Sequence, residues 1–286
     1  MGPFVAVMFD GFAYGMLLFL VSVGLSVTLG MMNFVNLAHG AFAMLGAYVT
    51  VTLMNTYGWS FLATLPFAFI VAGLASVAFE QTLFRPLYRA SDLDQVLLTI
   101  GLVFMAVAAV AYVFGTESQP IHIPDYLRGF ITIGGANFAV YRIFLVSVAL
   151  LVSVLLIAGL EFTRFGAQIR ASVDNQRMAR GLGINVDRVF AYTFALGSGL
   201  AGLGGALAIE VVGLDHSFAL IYLIVMLIIV SVGGLGSISG SFVAAVVIGV
   251  SDTAGKYYFP YLGAFLIYLV MIAVLLWRPA GLFGKR

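Results

Sequence analysis

The sequence predicts an all-α fold: a polytopic membrane helix bundle of about 8–10 spans, each of about 20 mostly apolar residues. Three observations lead there. Hydrophobic residues make up 63% of the 286 and charged residues only 9%, whereas a soluble domain carries roughly 25% charged residues. The chain has too little polar surface to cover a globule in water. Its apolar residues are gathered into runs long enough to cross a bilayer. Those runs are too long for barrel strands, and a helix satisfies its backbone N–H and C=O groups within the segment, as lipid requires. The 33 glycines suit helices that pack closely in lipid, and the absence of cysteine excludes a disulfide framework and thiolate chemistry.

The first run, 11–31, follows an N-terminus, MGPFVAVMFDGF, that lacks the basic region of a secretory signal peptide. It is expected to stay as a membrane helix, interrupted at Gly30. The second, 37–55, opens on LAHGAFA, and the third is 60–80. The fourth and fifth, 95–115 and 143–160, flank a hydrophilic connection at 116–142. The sixth to ninth, 189–211, 217–234, 241–258 and 261–277, follow the longest hydrophilic stretch, 161–188. No Pro/Ser-rich linker divides the chain, so 1–286 reads as a single transmembrane domain.

The basic residues fix an orientation. Arg85 and Arg89 fall in one connection, Arg164, Arg170, Arg177, Arg180 and Arg188 in a second, and Arg278, Lys285 and Arg286 in the tail. The positive-inside rule places all three in the cytoplasm, and the number of spans between them agrees. The connection 116–142, with Arg128, Arg142, Glu117 and Asp125, falls outside, as does Lys256 beside an interfacial belt of Tyr257, Tyr258 and Tyr261. Three crossings before residue 81 put the N-terminus outside; a re-entrant 31–58 puts it inside.

The stretch EFTRFGAQIRASVDNQRMARGLGINVDR at 161–188 is far longer than a connector needs to be. It is expected to form one or two short helices, with Phe165, Ile169, Met178 and Leu182 making apolar contacts and the arginines projecting outward. Such a loop suits docking of a partner protein. Positive-inside bias with attraction to anionic lipid is the alternative.

The order QIRASVDNQRMARGLGINVDRVFAYTFALGSGLAGLGGALA resembles the permeases of bacterial ABC importers for branched-chain amino acids, the Liv family, and its H-type subunit more than its M-type partner. VNLAHGAFAMLGAYV at 35–49, VGGLGSISGSFVAAVVIG at 232–249 and RPAGLFG at 278–284 extend the resemblance over most of the chain in the family's order. The resemblance implies a multi-pass protein of the bacterial inner (plasma) membrane with the fold of the larger importer permeases. It implies a second, related permease subunit, two cytoplasmic ATP-binding subunits and a periplasmic or extracellular solute-binding protein; lipid surrounds the assembly, and no nucleic acid is expected. It also implies that 161–188 is the coupling loop seated in a cleft of the ATPase, with Gly166, Arg170, Arg177, Ala179, Arg180 and Gly183 carrying the contact. Relatives of this kind serve branched-chain amino acids, urea, short amides and aromatic acids.

No cofactor is expected on this chain; ATP and Mg belong to the partner ATPases. GVSDTAGKY at 249–257 imitates a phosphate-binding loop but fails twice: five residues separate Gly249 from Gly255, and Tyr257 stands where a hydroxyl residue must reach Mg²⁺. No catalytic role is expected: His39, His122 and His216 are far apart and no H-E-x-x-H occurs. A stand-alone secondary transporter or channel is the alternative, and it would need intramembrane acids. Glu80, Glu161, Asp187 and Asp215 lie at or beyond span ends and Glu210 is close to one. Asp252 is the best candidate for a buried carboxylate, against a simpler reading as an interfacial charge near Lys256.

Asn33, Asn36 and His39 stand out in NFVNLAHGAF, spaced by three residues and so expected on one helical face. They are candidates for the translocation path, with interhelical hydrogen bonding as the alternative. LAHGAFA at 37–43 echoes LDHSFA at 214–219, a hint of two related halves. In ALGSGLAGLGGALA at 195–208, small residues recur at i, i+4 and point in more than one direction, which suits a helix packed on several sides.

Overall fold

The computed structural model describes residues 2–32, 34–121 and 123–284; Asn33, His122, Lys285 and Arg286 lie outside the described residues. Each of the nine expected spans holds one helix. These are α1 (Gly2–Met32), α2 (His39–Asn55), α3 (Phe61–Phe79), α4 (Asp92–Phe114), α5 (Val140–Phe162), α8 (Val186–Val212), α9 (Phe218–Gly233), α10 (Ile238–Tyr258) and α11 (Gly263–Trp277). Two short helices, α6 (Arg164–Asp174) and α7 (Gln176–Gly181), occupy the basic loop. α3 continues into a π-helical turn, Glu80–Phe84, and a 3₁₀ turn, Arg85–Arg89. Six helices are long and apolar enough to cross a membrane on length and composition alone. α2, α9 and α11, of 17, 16 and 15 residues, reach only about 22–26 Å at 1.5 Å per residue. α2 and α9 are short because a non-helical stretch, 34–38 and 213–217, precedes each.

Two local expectations are overturned. Gly30 does not interrupt α1, which runs on to Met32. The break comes after it, so Asn36 lies in non-helical backbone and only His39 belongs to α2. A spacing of three makes a common face only on a continuous helix, and here the chain leaves the helix between these residues. In the connection 116–142, β1 (Phe130–Ile133) pairs antiparallel with β2 (Ala136–Ala139) across Gly134 and Gly135, both at positive φ (58° and 80°) as a tight hairpin turn requires. Phe138 seats this hairpin edge-on against Phe9 of α1, with ring centroids 5.0 Å apart.

The three basic segments share one end of the bundle. Tyr88 meets Phe190 at the start of α8. Leu160, Ile169, Val189 and Val232 lie in one apolar cluster against which Leu282 of the tail packs. Backbone bonds from Leu282 and Phe283 to Val232 and Gly233 tie the tail to the end of α9. By the positive-inside rule this is the cytoplasmic end. At the opposite end Asn55 donates to the Pro120 carbonyl, the Gln119 N–H donates to Leu214, and Arg142 pairs with Asp10. The N-terminal part of α1 lies at this opposite end, with three helices, α1, α2 and α3, before Arg85.

The helices pack chiefly through α1 and α8. α1 packs most extensively on α10, and α8 on α3; α1 and α8 cross each other at Gly24 and Gly197, where a Cβ on either residue would press on the other's backbone. α2 and α9 meet where Gly40 abuts the Ala219 carbonyl. The small residues of α8 are consumed on three sides: Gly204 against Val21 of α1, Gly202 and Gly205 against Gly46 and Ala43 of α2, Gly199 and Gly202 against Phe69 and Ala68 of α3.

Candidate functional site

Three places have the geometry of a transport protein: the break before α2, the basic helix pair, and a charged cavity at the outer end. At the break, Phe34 inserts into an aromatic cluster, with ring centroids 5.4 Å from Phe84, 5.5 Å from Tyr88 and 5.8 Å from Phe194. The stretch is held to α4 by Gln95, whose Oε1 accepts from the Val35 N–H at 3.0 Å while its Nε2 donates to Leu87. Asn36 and His39 are fully buried above this cluster. His39 Nε2–H donates to the Val21 carbonyl of α1 at 3.1 Å, which leaves Nδ1 as the bare nitrogen, without a partner among the described residues. Both polar atoms of the Asn36 amide are also without a partner among the described residues. A buried amide without partners costs about 1–3 kcal/mol, and such groups in native structures call for a reason. Asn36→Leu is therefore expected to raise the melting temperature of the solubilised protein while lowering transport. His39→Leu is expected to lower stability by about 1 kcal/mol through loss of the Val21 bond. Thermal unfolding measured beside uptake separates the two roles; loss of transport only in proportion to loss of folded protein would make both residues structural.

The basic loop is built by caps. Thr163 Oγ1 accepts from the Gly166 N–H at 3.2 Å to start α6, Asn175 Oδ1 accepts from Met178 at 3.0 Å to start α7, and Asn185 Oδ1 accepts from Arg188 at 3.1 Å to start α8. Each satisfies a backbone donor that has no partner within the helix. Gly166 lies so close to the Leu160 carbonyl that a Cβ there would overlap it, and Gly183 turns the chain into α8 at φ +84°. Ala179 is buried, and Arg177 is exposed.

The contacts in this loop differ from those expected. Arg170 does not project freely but donates to the Leu160 carbonyl, satisfying one of the acceptors left open at the end of α5. Arg180 pairs with Asp187 at 2.8 Å. Ile169 is buried as expected, yet Met178 and Leu182 are 68% and 79% exposed. Apolar side chains are left out because α7 is a single turn that presents only Ala179 to the bundle. Arg180→Ala is expected to cost under about 1 kcal/mol, as half-exposed pairs do. Arg170→Ala, which unpairs a helix-end carbonyl, is expected to cost about 1–2 kcal/mol. Thermal denaturation of the two variants side by side checks the order.

The cavity at the outer end was not legible from the sequence. It has a volume of about 720 Å³ and is walled by the outer ends of α1, α5, α8, α9 and α10. Arg142 lies 3.3 Å from Asp10 and also donates to the Asp10 backbone carbonyl at 3.0 Å. Lys256 lies 2.7 Å from Asp252. Asp252 is the buried carboxylate the sequence offered, and it is paired with Lys256 one helical turn away. A charge pair at the two outer span ends was the available signal for Asp10 and Arg142. Among the described residues, no three His, Asp or Glu side chains are placed to hold a metal ion.

A nearly all-helical bundle with apolar helices long enough to cross a membrane and a structured basic loop at one end is the architecture of a multi-pass membrane protein. Residues 7–275 match the family described as "Branched-chain amino acid transport system / permease component", and the chain belongs to that family. It is similar to the high-affinity branched-chain amino acid transport system permease protein LivH of Escherichia coli, at 26% identity over 99% of this chain and 96% of the relative. The corresponding permease protein BraD of Pseudomonas aeruginosa is 25% identical over 96% of this chain and 94% of the relative. A likeness to the permease protein LivM of Salmonella typhimurium, 27% identical, covers 93% of this chain and 68% of the relative. No solved structure matches. The chain is therefore a transport permease.

Proposed function

We propose that this chain is the transmembrane permease subunit of an ATP-binding-cassette importer in the bacterial inner membrane. It would form the translocation path for branched-chain amino acids, or a related small polar solute, delivered by an external binding protein. The observation that carries this reading is the α6–α7 loop: a capped, two-helix element on the cytoplasmic face that exposes Met178, Leu182 and Arg177 together. A loop that served only as a connector would have no reason to leave two large apolar side chains in water. Its natural partner is an ATPase subunit that binds ATP and Mg, with Gly166, Ala179 and Gly183 shaping the element and Arg170 and Arg180 bracing it.

α8 leaves this loop directly, and Phe190 and Phe194 on it reach Tyr88 and Phe34. In this reading, closure of the ATPases pushes the loop, α8 carries the displacement to the aromatic cluster, and the cluster gates the path beside Asn36 and His39. A second, related permease completes the path. α4 buries only Gln95, Thr99 and Val103 and offers its open face. The branched-chain substrate rests on the names of the relatives.

Tagging the chain, extracting it in mild detergent from its native cell and identifying its partners by mass spectrometry tests the reading. Two ATP-binding proteins and a second permease are expected. Recovery of the chain alone, stable and homogeneous, would overturn it in favour of a stand-alone transporter.

A further inference from the structure

We propose that the outer cavity is a transit site for a zwitterionic α-amino acid, with Arg142 and Lys256 facing its carboxylate and Asp10 and Asp252 facing its ammonium. The proposal rests on the reading of the chain as an amino-acid permease and adds to it a site and the features of the solute that the site recognises. The cavity's volume, about 720 Å³, falls within the range of about 300–1,000 Å³ usual for small-ligand pockets. Its charges are two acids and two bases in two pairs, Arg142 with Asp10 and Lys256 with Asp252. A net charge of zero with both signs displayed neither holds a simple anion nor a simple cation strongly. It does match a solute that carries both.

The pairs sit on separate helices. Asp10 is on α1 and Arg142 opens α5, while Asp252 and Lys256 are one turn apart on α10. A solute between them can exchange each ion pair for an equivalent one of its own without leaving any charge bare, so the barrier to entry and to release stays low. Weak, reversible occupancy is what a path needs. Asp252 is 8% exposed and Lys256 58%, which places the acid at depth and the base toward the mouth. Val7, Val211 and Val212 also line the cavity and supply apolar surface that can shelter a branched side chain. Tyr14 and Tyr222 line the same cavity.

The wild-type complex in lipid nanodiscs, incubated with a diazirine analogue of leucine and irradiated, tests this by peptide mapping. Labels are expected on 3–14, 211–222 or 252–257. Unlabelled leucine should remove them. 3-Methylbutylamine and 4-methylpentanoate, which each lack one charge of leucine, should need about tenfold higher concentration or more, since each forfeits charged hydrogen bonds. Lys256→Gln, whose amide can still donate to Asp252, should reduce labelling per folded molecule by a similar factor, the folded fraction being measured by size-exclusion chromatography. Labels confined to other segments, or equal competition by either single-charge analogue, would overturn the site. Leucine uptake in proteoliposomes with the binding protein present separates the two levels. Normal uptake with an unlabelled cavity sinks the site and leaves the permease reading standing, whereas no leucine uptake by an assembled complex sinks the amino-acid reading itself.

Discussion

Gly24→Ala is expected to lower the melting temperature of the solubilised protein sharply, while Gly101→Ala leaves it unchanged or raises it. Both glycines lie within helices, α1 and α4, and in both cases alanine improves helix propensity by about 0.5–1 kcal/mol. What differs is the space. A Cβ at Gly101 meets nothing within 4 Å, whereas one at Gly24 overlaps the carbonyl of Gly197. That neighbour is backbone, so no rotamer change makes room and α1 must move away from α8. Overpacking of this kind costs about 1–3 kcal/mol and sometimes more. The cost is not confined to one contact, because about one to two turns further along, α8 is pinned against α2 by Gly202 and Gly205. A shift that relieves Gly24 tightens one of those. Gly24→Leu is expected to abolish the folded bundle. A wild-type melting temperature for Gly24→Ala would mean that the α1–α8 crossing is loose.

The spans were legible because their signal is local: each run of apolar residues encodes its own helix whatever it packs against. The basic loop was legible for the same reason, since Thr163, Asn175 and Asn185 cap their helices from within a few residues. What escaped the sequence depends on distant partners. The break before α2 falls after Met32 and not at Gly30, because Phe34 is drawn into a cluster with Phe84 and Phe194. Asp10 and Arg142 are 132 residues apart, and nothing near either residue announces the other. The exchange that sets α1 on α10 and α8 on α3 leaves only the brief echo of LAHGAFA in LDHSFA. The directions of the loop's side chains also escaped, because a one-turn helix has no periodicity to read.

Replacing Met178 and Leu182 together by aspartate is expected to abolish recovery of the ATPase subunits and to reduce transport by about tenfold or more, with insertion and melting temperature unchanged. Both side chains are mostly in water, so their loss removes little from the folded chain, and two added acids on an exposed face disturb no buried contact. Against a partner the balance reverses. Full burial of a side chain of this size contributes about 1.5–3 kcal/mol, and an aspartate in its place would have to be stripped of water without a partner, which costs more. A factor of ten in affinity corresponds to only about 1.4 kcal/mol, so even half of that burial at each position gives the expected loss. Arg177→Ala in the same loop should have a smaller effect that grows as salt is lowered, as expected of a charge at the rim of a contact. If the loop were instead a basic surface held to anionic lipid, the aspartates would weaken membrane-surface attraction by about 1 kcal/mol per charge and leave the ATPases bound. Undiminished recovery of the ATPases from the double variant would therefore remove the coupling role from this loop, and with it the route from ATP hydrolysis through α8 to the gate.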